Sequence, residues 1–183
     1  MKQSKKILIA NRGVIAIRAL RAARELGYSV ASVYSTIDRD QKHLKLSDEA
    51  ICIGPPETKD SYLNEAAIIS AAELSGADAI YPGFGFLAEN ASFAEKCRES
   101  GFKFIGPDPE VIAIMGDKIK AKELAKSLNI PVVPGYEGEI STENEAIKIV
   151  EEIGYPVIIK ASAGGGGRGT VSYTHLRAHE TTP

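Results

Sequence analysis

The sequence predicts an α/β protein: an open parallel sheet with flanking helices, followed by the start of a second domain. Short apolar runs rich in Ile and Val alternate with longer stretches of helical period, the rhythm of a parallel sheet joined by helical crossovers. Glycines stand where those helices should stop. After Gly106-Pro107 the alternation ceases, and two helical stretches follow one another with no strand between them.

The expected strands are residues 6–10, 29–34, 50–53, 79–81 and 103–105. Between the first two, a helix over residues 14–26 places Ala16, Ala19, Leu20 and Ala23 at i, i+3, i+4 and i+7, with Arg18, Arg21 and Glu25 opposite. Gly27 ends it. Two further helices, 64–75 and 90–99, end at Gly76 and Gly101, where positive φ suits a helix terminus.

Past Gly106 the pattern predicts helices over 109–115 and 117–128. The domain boundary falls between residues 114 and 115. Asp117 is a natural N-cap for the second helix, so Lys118 sits in its first turn. A strand at 131–134, a hairpin-like turn through Gly135 and Gly138, and a helix opened by the capping box Thr142-x-x-Glu145 come next. Residues 156–161 then form an apolar strand that delivers Lys160 and Gly164-Gly165-Gly166-Gly167-Arg168-Gly169. The chain has no internal repeat.

With 183 residues the chain has room for one domain and part of another. Its 44% hydrophobic and 25% charged residues are ordinary for a globular protein with a core. Twenty-two basic against 24 acidic residues give a net charge of -2, too balanced for a non-specific nucleic-acid binder. Cys52 and Cys97 lie in apolar patterns without metal-ligand spacing and read as small core residues in a reducing compartment. No signal peptide and no membrane span is evident, so the expected location is cytoplasmic.

The chemistry concentrates at lysines and glycines. A lysine at a strand end, followed by a glycine-rich turn, lets backbone N–H groups approach a polyphosphate while the ammonium offsets its charge. A flexible linker is the competing reading, but linkers seldom follow an Ile-Ile-Lys strand. The dinucleotide fingerprint is met on paper by Gly164-x-Gly166-x-x-Gly169, although its following helix is not visible in the sequence. A Walker A loop fails, because Thr170 stands where lysine is required. A glycine lid over a nucleotide, with Lys160 beneath it, remains. Lys118 is a weaker signal, since most lysines are solvated. Asn11-Arg12-Gly13 and residues 81–90 follow the first and fourth strands, at the edge where open α/β sheets place ligands; taken locally, each also reads as a structural turn.

Four blocks, in order, closely resemble those of biotin carboxylases: Ile9-Ala10-Asn11-Arg12-Gly13, Tyr81-Pro82-Gly83-Phe84-Gly85-Phe86-Leu87-Ala88-Glu89-Asn90, Met115-Gly116-Asp117-Lys118, and Gly154-Tyr155-Pro156-Val157-Ile158-Ile159-Lys160-Ala161-Ser162. The resemblance spans about residues 6–169. It implies a Rossmann-like pre-ATP-grasp domain over residues 1–114, then the incomplete opening of an ATP-grasp domain over 115–169. Family members use MgATP to activate bicarbonate, by way of carboxyphosphate, and carboxylate biotin on a carrier domain, as in acetyl-CoA carboxylase of fatty acid biosynthesis.

By position, the resemblance implies that Lys118 and Lys160 contact ATP phosphates. It makes Gly164, Gly165, Gly166, Gly167 and Gly169 the lid, and Arg21 and Glu25 candidates for a homodimer contact. The groups for catalysis, for Mg2+ (or Mn2+), for bicarbonate and for biotin are expected downstream, so the fragment itself is expected not to turn over. Its partners would be a biotin carboxyl carrier domain and a carboxyltransferase.

The sequence departs from the pattern at Val14, where the family usually has glutamate, and at Ala163, which replaces a glycine at the head of the lid. The greater departure is residues 170–183, a polar stretch that reads as a foreign or misassembled tail and is excluded from the expected fold. His175 and His179 stand at i, i+4 without a third metal ligand. Two other readings stay open: a different ATP-grasp ligase such as a carbamoyl-phosphate synthetase, and a non-catalytic nucleotide-binding or dimerisation module.

Overall fold

The computed structural model describes residues 5–133, 135, 136, 140–160 and 170–173, the last four and Lys160 by backbone alone. The chain divides into two compact units, residues 1–116 and 117–183. The first holds an all-parallel five-stranded sheet in the order β3-β2-β1-β4-β5. Its strands are β1 (Lys6–Ile9), β2 (Ser29–Ser35), β3 (Glu49–Gly54), β4 (Ala79–Tyr81) and β5 (Lys103–Phe104). β1 is the centre, with Leu8 beside Ala31 of β2 and Ile80 of β4.

Successive β1 side chains point to opposite faces, and both faces are covered there, which is why the strand reads as unbroken hydrophobic sequence. Leu8 and Ala10 pack with Ile68, Ala71 and Ala72 of α3 (Glu65–Ser75) and Phe93 and Cys97 of α4 (Ala91–Glu99). Ile9 packs with Ala16, Leu20 and Ala23 of α1 (Gly13–Glu25) on the other face. The apolar stripe expected of the first helix is thus its buried side, and Arg18, Arg21 and Glu25 are exposed.

Asparagines start the two helices of the first face. The Asn64 side chain accepts from the N–H of Ala67, and that of Asn90 from Phe93, at 3.1 and 3.0 Å. Each cap contributes about 1 kcal/mol. Gly76 ends α3 at φ 62°, a left-handed conformation costly for a side chain with Cβ.

Two expectations for this unit need correction. Cys52 is exposed, whereas Cys97 is buried; β3 is an edge strand in which Ile51 and Ile53 face the core and the alternating Cys52 faces out. Burial, reinforced by the charge of Glu65, pushes the Cys97 thiol up to about 12. The sequence reading also missed a 3-10 turn at Thr36–Asp38 and the short α2 (Lys42–Leu46), which are too brief to show a helical period.

α2 buries His43 completely, with Nε2 3.4 Å from the Val33 carbonyl and Nδ1 without a partner among the described residues. Burial lowers its pKa from the ordinary 6.5, against the smaller opposing pulls of the Val33 carbonyl and the Asp38 charge. The unfolded chain therefore binds a proton before the folded one does, so stability falls as pH drops below the unfolded value. His43→Leu should flatten the stability slope between about pH 7 and pH 5, measured by urea unfolding at each pH. An unchanged slope would mean that His43 is not the titrating group.

In the second unit, α5 (Pro109–Gly116), which closes the first, gives way to α6 (Lys118–Ser127) and α7 (Glu143–Ile153). Thr142 caps α7 by accepting from the Glu145 N–H at 3.3 Å, while the Glu145 carboxylate reaches back to the N–H of Ser141, one residue further than the standard box. Residues 131–133 are not a strand; of the expected turn Gly135 is described, and Pro134 and Gly138 lie outside the described residues. β6 (Val157–Lys160) pairs antiparallel with β7 (Thr170–Tyr173).

β7 corrects the exclusion of everything after Gly169 from the fold. Thr170, Val171 and Tyr173 are residues that suit a strand, although four positions are too few to show alternation. Residues 174–183, with His175 and His179, lie outside the described residues. Val171→Pro, which puts a proline inside β7, should lower the second unit's unfolding midpoint, whereas a change confined to residues 175–179 should leave β6–β7 amide protection intact. Amide exchange measures both.

Candidate functional site

β1 has β2 on one side and β4 on the other, so the connections leaving these central strands diverge. That is the topological switch point of an open sheet, where ligand sites form. The segments after β1 and β4 meet there. Asn11, 1% exposed, donates its amide to the carbonyls of Pro82 (2.7 Å) and Phe84 (3.0 Å), and its Oδ1 accepts the Arg12 N–H at 2.8 Å. One side chain satisfies three backbone groups, two of them more than 70 residues away in sequence.

The loop it holds is contorted. Gly83, Gly85 and Phe86 all have positive φ, at 73°, 65° and 45°. A Cβ on Gly83 would come within 2.7 Å of Ile15 Cγ2 and 2.8 Å of Asn11 Nδ2, so the loop and the asparagine interlock. Glycine adopts such angles freely, but Phe86 held there costs energy that the surroundings must offset, and such residues cluster at functional sites. The tip of the loop, Phe84, is 73% exposed.

Arg12 locks the other side of the loop. Its guanidinium lies over Tyr62 and Phe86, 5.3 and 5.6 Å from the ring centroids, and those rings stack at 4.9 Å. It also pairs with Asp38 at 3.2 Å. Asp38 is nearly buried and accepts further bonds from Tyr62 (2.8 Å), Ser35 (3.0 Å) and Gln41 (3.0 Å). Burial works against this carboxylate, but the bonds from Tyr62, Ser35 and Arg12, together with the Arg12 charge, outweigh it and hold its pKa below the ordinary value. Tyr62 shifts upward, through burial and its bond to Asp38.

Sequence reasoning noticed Asn11-Arg12-Gly13 and the glycine loop, but not Asp38, Tyr62, Ser35 or Gln41. No local pattern joins positions 24 apart, such as Tyr62 and Asp38. The two loops form one hydrogen-bonded unit rather than two separate turns.

In the second unit, Lys118 is the first residue of α6 and is exposed. Asp117 Oδ1 accepts from the N–H groups of Ile119 (2.9 Å) and Lys120 (3.1 Å). The capping carboxylate thus offsets much of the unfavourable placement of a cation at a helix N-terminus. Lys160 ends β6 opposite Thr170. Gly164, Gly165, Gly166, Gly167 and Gly169 belong to the 161–169 connection and lie outside the described residues. A strand, not a helix, follows that connection. Both the dinucleotide fingerprint and the Walker A loop need a helix there, so the topology removes them as readings of the glycine run.

Residues 3–112 match the family described as biotin carboxylase, N-terminal domain. The chain belongs to the biotin carboxylase family. Residues 117–178 match a second family, the ATP-binding domain of the carbamoyl-phosphate synthase L chain. Biotin carboxylase of Haemophilus influenzae is 58% identical over 165 residues, 90% of this chain and 37% of the relative. A crystal structure of a Campylobacter jejuni biotin carboxylase-β-γ-ATP complex superposes with a TM-score of 0.89 at 50% identity, covering 94% of this chain and 39% of that one. The biotin carboxylase domain dimer of Hydrogenobacter thermophilus 2-oxoglutarate carboxylase, complexed with MgADP, ADP and bicarbonate, gives 0.87 at 49% identity, covering 94% and 38%. The chain thus spans little more than a third of the length of the curated relatives it matches.

Asn11→Ala should cost about 2–4 kcal/mol, because it leaves the Pro82 and Phe84 carbonyls without their donor. Asn11→Asp should cost more at neutral pH, since a carboxylate would face two carbonyl oxygens. Urea unfolding checks the order, and an aspartate variant as stable as wild type would contradict it.

Proposed function

We propose that this chain is the front part of a biotin carboxylase, a ligase whose complete form consumes MgATP and bicarbonate to carboxylate biotin on a carrier domain. One observation supports this most strongly: the family match in the first unit is followed directly by an ATP-binding-domain match in the second, where a glycine-rich connection joins two antiparallel strands. A hairpin loop with four consecutive glycines can close over a polyphosphate through its N–H groups, hinged on two paired strands.

In this reading Lys118 and Lys160 are the cations that meet the ATP phosphates, and Gly164, Gly165, Gly166, Gly167 and Gly169 form the lid. Phosphates gain from charge-assisted bonds and backbone donors in a site that excludes water. The residues that hold Mg2+, bicarbonate, adenine and biotin are assigned to the part of the parent that follows. This chain alone therefore binds nucleotide weakly and does not turn over.

Arg21 and Glu25, exposed on α1 and opposite in charge, are the proposed homodimer contact; such a pair is self-complementary across a two-fold axis. The carrier domain and a carboxyltransferase are the proposed partners, and the cytoplasm, with fatty acid biosynthesis, the proposed setting. Among the described residues no helix is long and apolar enough to cross a membrane. A carbamoyl-phosphate synthetase is the less favoured reading, because relatives named biotin carboxylase match both units in one stretch.

Titration of this chain with MgATP, followed by amide chemical shifts, tests the assignment. Shifts should appear near residues 158–172 at millimolar nucleotide, and both Lys160→Ala and Lys118→Ala should reduce the apparent affinity by about tenfold or more. No shift at millimolar MgATP, or shifts indifferent to Lys160, would contradict the site.

A further inference from the structure

One buried titratable group of the first unit stands outside the candidate site but close to it in sequence. His43 is fully buried, its Nε2 makes one long contact of 3.4 Å with the Val33 carbonyl, and its Nδ1 has no partner among the described residues. A neutral imidazole fits there. An imidazolium does not, because it carries a charge and two N–H donors into a place that offers one poor acceptor.

The surrounding charges do not supply a second. α2 packs on α1 and β2. β2 has no charged residue, and its one titratable side chain is Tyr34. Around α1, Arg12 pairs with Asp38 and Arg24 with Asp48, while Arg18, Arg21 and Glu25 are exposed. Asp48, beyond α2, also accepts the Val30 N–H. α2 itself adds Lys42 and Lys45, both exposed and both of the wrong sign to welcome a cation. The turn after β2 brings Arg39 and Asp40, which are exposed, and Asp38. The charge of Asp38 acts on His43, but its carboxylate is already shared among Tyr62, Ser35, Arg12 and Gln41.

α2 is built to yield. It has five residues and no side-chain N-cap, far less than a helix needs to hold itself. Ser47 secures its end, with Oγ 2.6 Å from Ser32 Oγ and 2.8 Å from the His43 carbonyl. Gln41 ties its start to the candidate site, donating its side-chain amide to Asp38 Oδ1 and its N–H to the Asp38 carbonyl, both at 3.0 Å.

We propose that His43 is an acid-sensitive latch: taking up a proton opens α2, draws Gln41 away from Asp38 and loosens the Arg12 clamp on the loop after β4. Burial holds the His43 pKa below the ordinary 6.5, so the open form, with the ring in water, binds the proton more readily than the closed one. Opening therefore grows as pH falls below that value, by at most about tenfold per pH unit, until the closed form is protonated too. Asp38 carries the effect onward. Once Gln41 leaves, water reaches the carboxylate and weakens its pair with Arg12. Arg12 lies over the Phe86 ring, and Phe86 is the residue held at φ 45°, so a slack clamp lets that strain relax. The latch lies wholly within the first unit and is independent of the functional reading given to the second.

NMR of this chain between about pH 7.5 and pH 4.5 tests the latch. The His43 ring, the Leu44 and Ser47 amides, the Phe86 ring and the Ala88 amide should shift along one titration curve with a midpoint below 6.5, while Leu8 and Ile68 hold still. Ala88 reports on the loop because its N–H bonds to the Gly85 carbonyl. His43 titrating without Phe86 and Ala88, or no titration at all, would overturn the proposal. So would Leu8 and Ile68 moving on the same curve, which is global unfolding.

Two variants separate sensor from coupling. His43→Gln, neutral and still able to donate to the Val33 carbonyl, should abolish the titration of α2 and of the loop together. Gln41→Leu should keep the titration of α2 and diminish that of Phe86 and Ala88. A loop that still titrates in His43→Gln, or titrates undiminished in Gln41→Leu, would reject the latch. If His43→Gln does not fold, the wild-type curve and Gln41→Leu still decide.

Discussion

β1 has neighbours on both edges and helices on both faces, and the first unit is organised by that position. From β1 the chain builds outward to β2 and β3, returns over the sheet through α3, and builds the other way to β4 and β5. Because crossovers keep one hand, the reversal has two consequences at once. It opens a crevice between the carboxyl ends of β1 and β4, and it leaves half of one face bare. The candidate site occupies the first.

Asn11 turns the crevice into a fixed structure. A sheet alone would leave the segments after β1 and β4 as separate surface loops. The Asn11 amide bonds to two carbonyls of the β4 loop, and Arg12 clamps Phe86 against Tyr62, so a loop with three positive φ angles holds one shape. Burying Asp38 is tolerated because four neighbouring groups donate to it, one of them a guanidinium. The rigidity of the loop therefore depends on a network drawn from the segment after β1, from β2, from the turn after β2, and from the segment before α3.

Much of the fold could be read in the sequence because its signals are local. The apolar stripe of α1, the glycines that follow α3 and α4, and the unbroken apolar run of β1 each lie within a few residues, and each is found in place. Failures came where the signal was short or distant. α2 is five residues long, and β7 is four residues in a polar setting whose strand character comes from its pairing with β6. Cys52 was misplaced because an apolar neighbourhood does not reveal that a strand lies at the edge. At the site, Asn11 and the glycines were noticed as motifs, but their joint role needed coordinates. Asp38 and Tyr62 left no sequence signal, since their partnership exists only once β2 and the segment before α3 come together. The topology also decided a question the sequence left open: a strand, not a helix, follows the glycine run, which excludes the loops that open helices.

Amide hydrogen exchange along this chain tests the central position of β1 most directly. If the unit is built outward from that strand, Leu8, Ile9 and Ala10 should exchange slowest, together with Val30 to Val33 of β2 and Ile80 of β4, all through global unfolding. The edge strands β3 and β5 should exchange faster. Slowest exchange in β3 or β5, or early exchange of β1 through local opening, would contradict the account.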